Sequence, residues 1–185
     1  MPPKVRITKE RILEAALELV RSSGTDALNA RKLAKRLNCS TQPIFSNFEN
    51  MEQLKLVVVG EAHRMYWQLV EQVTAEGAYP TYKSSGMAYI RFAQQERELF
   101  KLLYMRDRSA EEDTVDAETG KLVRHHLQTA MGLSEEDAMR FHLEMWTVVH
   151  GFATMAATGF MALDEQLIAD AITDIYQGLR TRFGC

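Results

Sequence analysis

Six residues within a stretch of eight carry side chains suited to reading a polymer: Ser40, Thr41, Gln42, Pro43, Ser46 and Asn47. Short polar groups at the N-terminal end of a helix suit an approach to base edges in a major groove. The Gln42 amide has the donor and acceptor for a bidentate contact to adenine, and the Thr41 methyl matches that of thymine. Such pairings discriminate by about 1–3 kcal/mol each. Pro43 forfeits no helical hydrogen bond inside a first turn and stiffens it. Arg31, Lys32 and Lys35 lie upstream for phosphates, and Lys4, Arg6 and Lys9 form a basic arm. Each phosphate neutralised steepens the salt dependence of binding by about one unit of slope.

Charge is distributed to match. The chain of 185 residues has 22 Lys+Arg against 25 Asp+Glu, a net charge of −3 that by itself suggests no polyanionic partner. Residues 1–48, however, hold nine basic and four acidic side chains, a net +5, which leaves −8 for the remainder. A basic head on an acidic body is the pattern of a protein that meets a polyanion with one end. The 46% hydrophobic and 25% charged composition excludes disordered and collagen-like chains.

Other chemistries find little support. No Gly-rich phosphate loop, serine nucleophile elbow or zinc-protease motif is present, so an enzyme is not expected and no cofactor is called for. His125 and His126 are adjacent and point apart on a helix, and His142 and His150 are too distant to chelate alone, so no metal site is expected. Cys39 and Cys185 form no disulfide framework, which fits a reducing cytosol. Charged residues from Lys9 onward exclude a secretory signal, and a cytoplasmic location is expected. Met145–Leu163 has no charged residue and sufficient length for a bilayer. Its His150, threonines, alanines and glycines suit a helix buried between protein surfaces instead.

Helical periodicity positions these groups throughout an all-α chain of about nine helices. Ile12, Ala16, Leu19, Val20 and Ser23 share one face of a first helix, capped by Thr8 and ended by Gly24 in the left-handed conformation. A second helix starts after Asn29, turns Leu33, Ala34 and Leu37 inward and Arg31, Lys32, Lys35 and Arg36 outward, and stops at Asn38. A third begins at Thr41, with Ile44, Phe45 and Phe48 apolar. Two short helices on a longer one make a trihelical helix-turn-helix unit. Asn50 opens a long helix to about Gly77, with Gln53 closing a capping box, and Tyr79-Pro80 breaks the chain. Further helices are expected at about 84–96, 97–105, 111–130, 134–160 and 165–183. Ser109/Glu112 and Ser134/Asp137 are read as capping boxes and Asp164 as an N-cap, with a mobile loop and a frayed helix start over 106–120. The division is a helix-turn-helix domain at 1–48 and a helical body at 49–185, with 49–77 connecting them.

The head resembles the TetR family of transcriptional regulators. The match lies in Arg11-Ile12-Leu13-x-Ala15-Ala16-x-x-Leu19-Val20-x-x-x-Gly24, in Leu33-Ala34-x-x-Leu37-Asn38-Cys39-Ser40, and in Ile44-Phe45-x-Asn47-Phe48-x-Asn50-x-x-x-Leu54. Trp146-Thr147-Val148-Val149-His150-Gly151 resembles the Trp-x-x-x-His-Gly motif of one C-terminal subclass. Three positions depart from the pattern: Phe45 replaces a usual Tyr, Asn47 a His and Met51 a Lys. The Tyr and Lys phosphate contacts are therefore missing, and affinity must rest more on the second helix and the arm. Asn47 still has a hydrogen-bond donor to offer, and Met51 suits a core position near Leu54.

The resemblance implies a body that binds a small effector and dimerises through its last two helices. Candidate pocket residues are Trp67, Tyr89, Phe92, Phe100, Tyr104, Met105, Phe141, Trp146 and His150, apolar walls with few polar groups. Gly151, Ala153, Ala156, Ala157 and Gly159 permit close helix approach, and Ile168, Ala171, Ile172, Ile175 and Leu179 form an apolar stripe, together suiting a four-helix bundle between two copies. The expected protein is a homodimeric repressor released from a pseudo-palindromic DNA operator by a small-molecule effector. The alternative is a helical small-molecule-binding or interaction module whose head has weak or lost DNA binding.

Overall fold

Local capping fixes most element boundaries in the computed structural model, which describes residues 7–107, 115–162 and 164–185. Lys4, Arg6, the Ser109/Glu112 box and residues 108–114 of the expected loop lie outside the described residues. Nine α-helices and no strand occur among those described. Thr8 Oγ1 accepts from the Arg11 amide at 3.3 Å to open α1 (Lys9–Ser23). Asn29 Oδ1 accepts from the Lys32 amide at 3.0 Å to open α2 (Ala30–Arg36). Helix α3 (Gln42–Asn47) follows a turn in which Asn38 takes a φ of 52°, a left-handed conformation that Asn tolerates better than most residues. Gly24 has a φ of 75° but a ψ of 172°, so α1 does not end in the expected left-handed helical turn. The chain instead swings out and forms a 3-10 turn at Thr25–Ala27.

The long α4 (Met51–Glu76) starts at a variant of the expected capping box. Asn50 Oδ1 accepts from the Gln53 amide at 2.8 Å, while Gln53 Oε1 reaches the amide of Glu49, one residue before the cap, at 2.7 Å. Pro80 immediately precedes α5 (Thr81–Gln95), and α6 (Arg97–Tyr104) follows. Then come α7 (Val115–Met131), α8 (Glu135–Thr158) and α9 (Glu165–Phe183). Ser134 and Asp164 cap α8 and α9 by accepting from the amides of Asp137 and Leu167.

Two compact units result, with their boundary inside α4. The first comprises Met1–Gln68 with Glu96–Arg106, and the second Leu69–Gln95 with Asp107–Cys185. In the first, α1 packs on α2, α3 and α6, burying Ile12, Leu19, Val20, Leu33, Ile44, Phe48, Leu54 and Leu99. Burial of side chains this size contributes about 1.5–3 kcal/mol each. Ser23, expected on the inner face of α1, is exposed. A bidentate ion pair, Arg21 to Glu96 at 2.7 Å for both contacts, fastens the end of α1 to the start of α6.

The second unit is organised around α8, which packs against α5, α7 and α9. Met87, Tyr89, Ile90, Phe92, Phe141, Met145, Ile168 and Ile172 fill its interior. Arg91 on α5 joins Glu76 at 3.0 Å and Glu165 at 2.7 Å, so one half-covered guanidinium ties three helices together. No helix among the described residues is long and apolar enough to cross a membrane.

Candidate nucleic-acid interface and effector region

The outward surface of α2 carries unneutralised cations. Arg31, Lys32 and Lys35 are all exposed, and no carboxylate among the described residues pairs with them. Arg36, one position on, is committed: Glu18 on α1 accepts from its Nε at 3.1 Å and its Nη2 at 2.8 Å. The helix thus divides its cations between one that holds the head together and three that remain available to phosphates. Lys9 lies over the Phe48 ring at 5.3 Å, a cation–π contact on a residue that stays exposed.

On α3, Ile44 is fully buried while Gln42, Phe45 and Ser46 are exposed and Pro43 and Asn47 half-buried. Ser40 is exposed and Thr41 half-buried at the preceding turn. Two predicted donors turn out to be occupied. Ser46 Oγ donates to Gln42 O at 2.9 Å, and Asn47 Nδ2 donates to Pro43 O at 2.8 Å and Ile7 O at 3.5 Å. Both follow the habit of short polar side chains of bonding the carbonyl one turn back. Asn47 therefore directs its amide hydrogens into the head and not outward as its position in the sequence suggests. Gln42 stays exposed, and Phe45 is 48% exposed on the same helix. Met51 is half-buried three residues before the buried Leu54, in keeping with its apolar character.

The expected pocket residues fall in both units. In the first, Trp67 and Tyr104 are half-buried within an aromatic group that includes His63, Tyr66 and Phe100, with Tyr104 5.2 Å from Phe100 and 6.1 Å from Tyr66 between centroids. Met105 is exposed. In the second, Tyr89, Trp146 and His150 come together: the Tyr89 hydroxyl is 3.0 Å from His150 Nδ1, and Trp146 lies 4.8 Å from the Tyr89 ring and stacks on His150. Phe92 is buried on the same helix as Tyr89. Phe141 belongs elsewhere, packed edge-on to Tyr176 and near Phe183 on α9. A second pair two turns away, Tyr82 with His142 Nδ1 at 3.3 Å, is absent from the sequence-based expectations. Its trace in the sequence is the recurrence of His at positions 142 and 150 against Tyr at 82 and 89. Burial lowers both imidazole pKa values from the ordinary range, reinforced at His142 by the charge of Arg124. Desolvation drives the Tyr82 hydroxyl far upward, so the Tyr82–His142 pair is a neutral hydrogen bond near pH 7. No cluster of three metal-ligating side chains occurs among the described residues.

The expected dimer residues are divided by burial. Ile168, Ile172 and Leu179 point into the unit's own core and offer little area to a second copy. Gly151, Ala156 and Ile175 are half-buried and Gly159 is exposed, ending α8 in the left-handed conformation. Large apolar side chains left outward on α8, after it and on α9 are Met139, Leu143, Trp146, Phe160, Met161 and Leu167. Both sides of α9 carry apolar residues, and periodicity alone selects the buried one.

Two family models match in the order of these units: residues 12–57 match "Bacterial regulatory proteins, tetR family", and residues 83–176 match "Tetracyclin repressor-like, C-terminal domain". The chain belongs to the TetR family of transcriptional regulators. An uncharacterized HTH-type transcriptional regulator of Bacillus subtilis (strain 168), YobS, is 19% identical over 169 residues, which is 91% of this chain and 88% of the relative. A solved structure of a protein of unknown function from Rhodococcus sp. RHA1 is similar with a TM-score of 0.74 at 23% identity, covering 96% of this chain and 98% of that one. A TetR family member from Streptomyces coelicolor A3 gives a TM-score of 0.64 at 16% identity, over 90% and 96% of the two chains. This TetR-family protein thus carries its exposed cations and Gln42 within the segment that matches the family's N-terminal model.

Proposed function

We propose that this TetR-family regulator is a homodimeric, ligand-responsive repressor that leaves a pseudo-palindromic operator when a small molecule binds its body. The observation that carries the reading is the set of three exposed cations on α2, without a carboxylate partner among the described residues, together with an exposed Gln42 opening α3. DNA binding falls to residues 1–48, with Arg31, Lys32 and Lys35 on phosphates. Ser40, Thr41, Gln42, Pro43, Ser46 and Asn47 form the surface nearest the bases. Ser46 and Asn47 act there mainly by shape and through their oxygens, because their donors are engaged. Residues 49–185 bind the effector and dimerise, and 49–77 transmit the change. Two recognition helices entering successive major grooves set half-sites roughly ten base pairs apart.

Within the body, Tyr89, Trp146 and His150 are the first effector contacts to test, and the Trp146-x-x-x-His150-Gly151 spacing supports membership of the C-terminal subclass with that motif. A second copy meets α8 and α9 on the side of Met139, Leu143 and Leu167, with Gly151, Ala156 and Ile175 alongside. The effector acts by binding one body conformation better than the other, and the size of its response equals that difference in affinity. Members of this family are generally not enzymes, and a role at an operator implies a cytoplasmic location with the chromosome.

Selection of bound duplexes from a random pool, followed by titration, tests the reading. Gln42→Ala is expected to relax preference at one base position, while Lys35→Ala weakens binding to selected and unselected DNA alike. Failure to enrich any sequence, with elution from heparin at low salt, would instead support the module with lost DNA binding.

A further inference from the structure

Phe45 is the largest exposed side chain on the recognition helix, and it has no polar atom. It shares one face of α3 with Thr41, Gln42 and, beside it, Ser46, because residues three and four apart lie together on a helix. Its neighbours narrow what that face can do. The hydroxyl hydrogen of Ser46 goes to Gln42 O and the amide hydrogens of Asn47 go inward. On α3 itself, the side-chain donor left toward a duplex is the exposed Gln42 amide, next to one apolar ring and with Ser40 and Thr41 at the preceding turn. The cations of α2 attract a polyanion to this head, and the exposed ring belongs to the same trihelical unit. In a major groove the apolar feature of a base pair is the C5-methyl of thymine, and an exposed aromatic edge is suited to cover it.

We infer that Phe45 is a specificity-determining residue of this regulator, its ring packing on a thymine methyl in each half-site beside the base contacted by Gln42. The inference rests on the operator-binding reading given above and adds to it a base that is chosen through its methyl group. The ring is removed from water most fully when the correct pyrimidine is present. A cytosine at that position offers no methyl, and its amino group meets an apolar surface that cannot accept its hydrogen bond.

The test uses the full chain and duplexes selected from a random pool. Each thymine in the selected half-site is replaced in turn by deoxyuridine, which deletes only the methyl. Dissociation constants are measured for wild type, Phe45→Ala and Phe45→Leu, with thermal unfolding checked for each. Covering one methyl corresponds to about a fourfold change. One position per half-site is expected to weaken wild type by about fourfold when its methyl is removed. The same replacement should leave Phe45→Ala unaffected, and Phe45→Leu should fall between them. Additive effects of Phe45→Ala and every deoxyuridine substitution would overturn the inference while leaving operator binding intact. Failure of wild type to select any sequence would overturn both.

Discussion

The outer face of the helix-turn-helix and the seam between α5 and α8 treat polar groups in opposite ways. On α2, Arg31, Lys32 and Lys35 stand in water without a carboxylate partner among the described residues. On the seam, Tyr82 meets His142 and Tyr89 meets His150, while the fully buried Ser84 of α5 donates to Tyr79 O at 3.0 Å. Unpaired cations cost little while hydrated and become useful when a phosphate replaces the water, with counterions released. Polar groups inside a packed seam have no such reserve, since each unmade bond there costs about 1–3 kcal/mol. A surface prepared for a partner is thus recognised by what it leaves unsatisfied, and a packed interior by what it satisfies.

The largest way to break this contrast is to remove what holds the head in shape. Phe48 is 2% exposed beneath Lys9, and Phe48→Ala is expected to cost about 3–5 kcal/mol in chemical denaturation. The free cations would then be unaltered in number but without their common geometry, and specific binding should disappear before the weak, salt-sensitive attraction to any duplex does. Retention of full specificity by a folded Phe48→Ala protein would show that the head's packing does not set the register of its contacts.

A sharper comparison sets paired against unpaired cations on the same helix. Replacing Arg31, Lys32 and Lys35 by Ala is expected to lower the log–log salt slope of DNA binding by about one unit for each phosphate that a head no longer neutralises. Arg36→Ala, which removes the bonds to Glu18, should instead destabilise the head slightly and leave the slope almost unchanged. Surface pairs of this kind contribute only about 0–1 kcal/mol. Equal slopes for the triple variant and wild type would show that these residues do not touch the DNA.

How much of the molecule is legible in its sequence follows the range of each interaction. Thr8, Asn29, Asn50, Ser134 and Asp164 all accept from an amide three residues on, so their capping roles are readable from a few consecutive letters. Where sequence and structure differ, the causes are equally definite. The stripe of Ile168 and Ile172 is buried within the chain's own unit, and an apolar stripe records that a face is covered without deciding between intrachain core and a second copy. Asn47 reads as a free donor and Ser46 as a short polar group facing the bases, although bonding to a carbonyl one turn back is open to both side chains from local sequence alone. Tyr82 and His142 escape a sequence reading because 60 residues separate them, and nothing local in either helix announces the other. Phe45 shares its apolar character with Ile44 and Phe48. Only the direction of the helix separates a ring that fills the core from one left outside.

Smaller effects are expected on the seam. Tyr89 is 1% exposed, and Tyr89→Phe deletes the hydroxyl that reaches His150 Nδ1 while keeping the ring against Trp146. The expected loss is about 1 kcal/mol in denaturant unfolding, near the net worth of one buried hydrogen bond. A comparison substitution on the exposed surface, Phe160→Ala, should change stability far less, because that side chain is 75% exposed. If the two variants were equally stable, the Tyr89–His150 bond would contribute nothing beyond ring packing.

The weakest and most diagnostic effect is the pH response of the two imidazoles. Burial lowers the folded-state pKa of His150, and burial together with Arg124 lowers that of His142. The unfolded chain, with ordinary histidines near about 6.5, therefore binds more protons than the folded one in the interval below that value. Stability linked to these residues is complete above about pH 6.5 and is lost as pH falls through the folded pKa values. The carboxylates with lowered pKa, Glu10, Glu61 and Glu76, titrate below this interval, since hydrogen bonds from the α1 backbone, Arg64 and Arg91 respectively hold their charged forms. Melting temperature should accordingly decline from about pH 7 to about pH 5 in the wild type and decline less in a His142→Gln, His150→Gln double variant. The mechanism is direct: protonation leaves each imidazole with no acceptor nitrogen beside its tyrosine hydroxyl and places a charge inside the seam. Parallel declines in the two proteins would mean that the histidines are equally easy to protonate folded and unfolded, and that the seam tolerates charge as readily as the DNA-facing surface does.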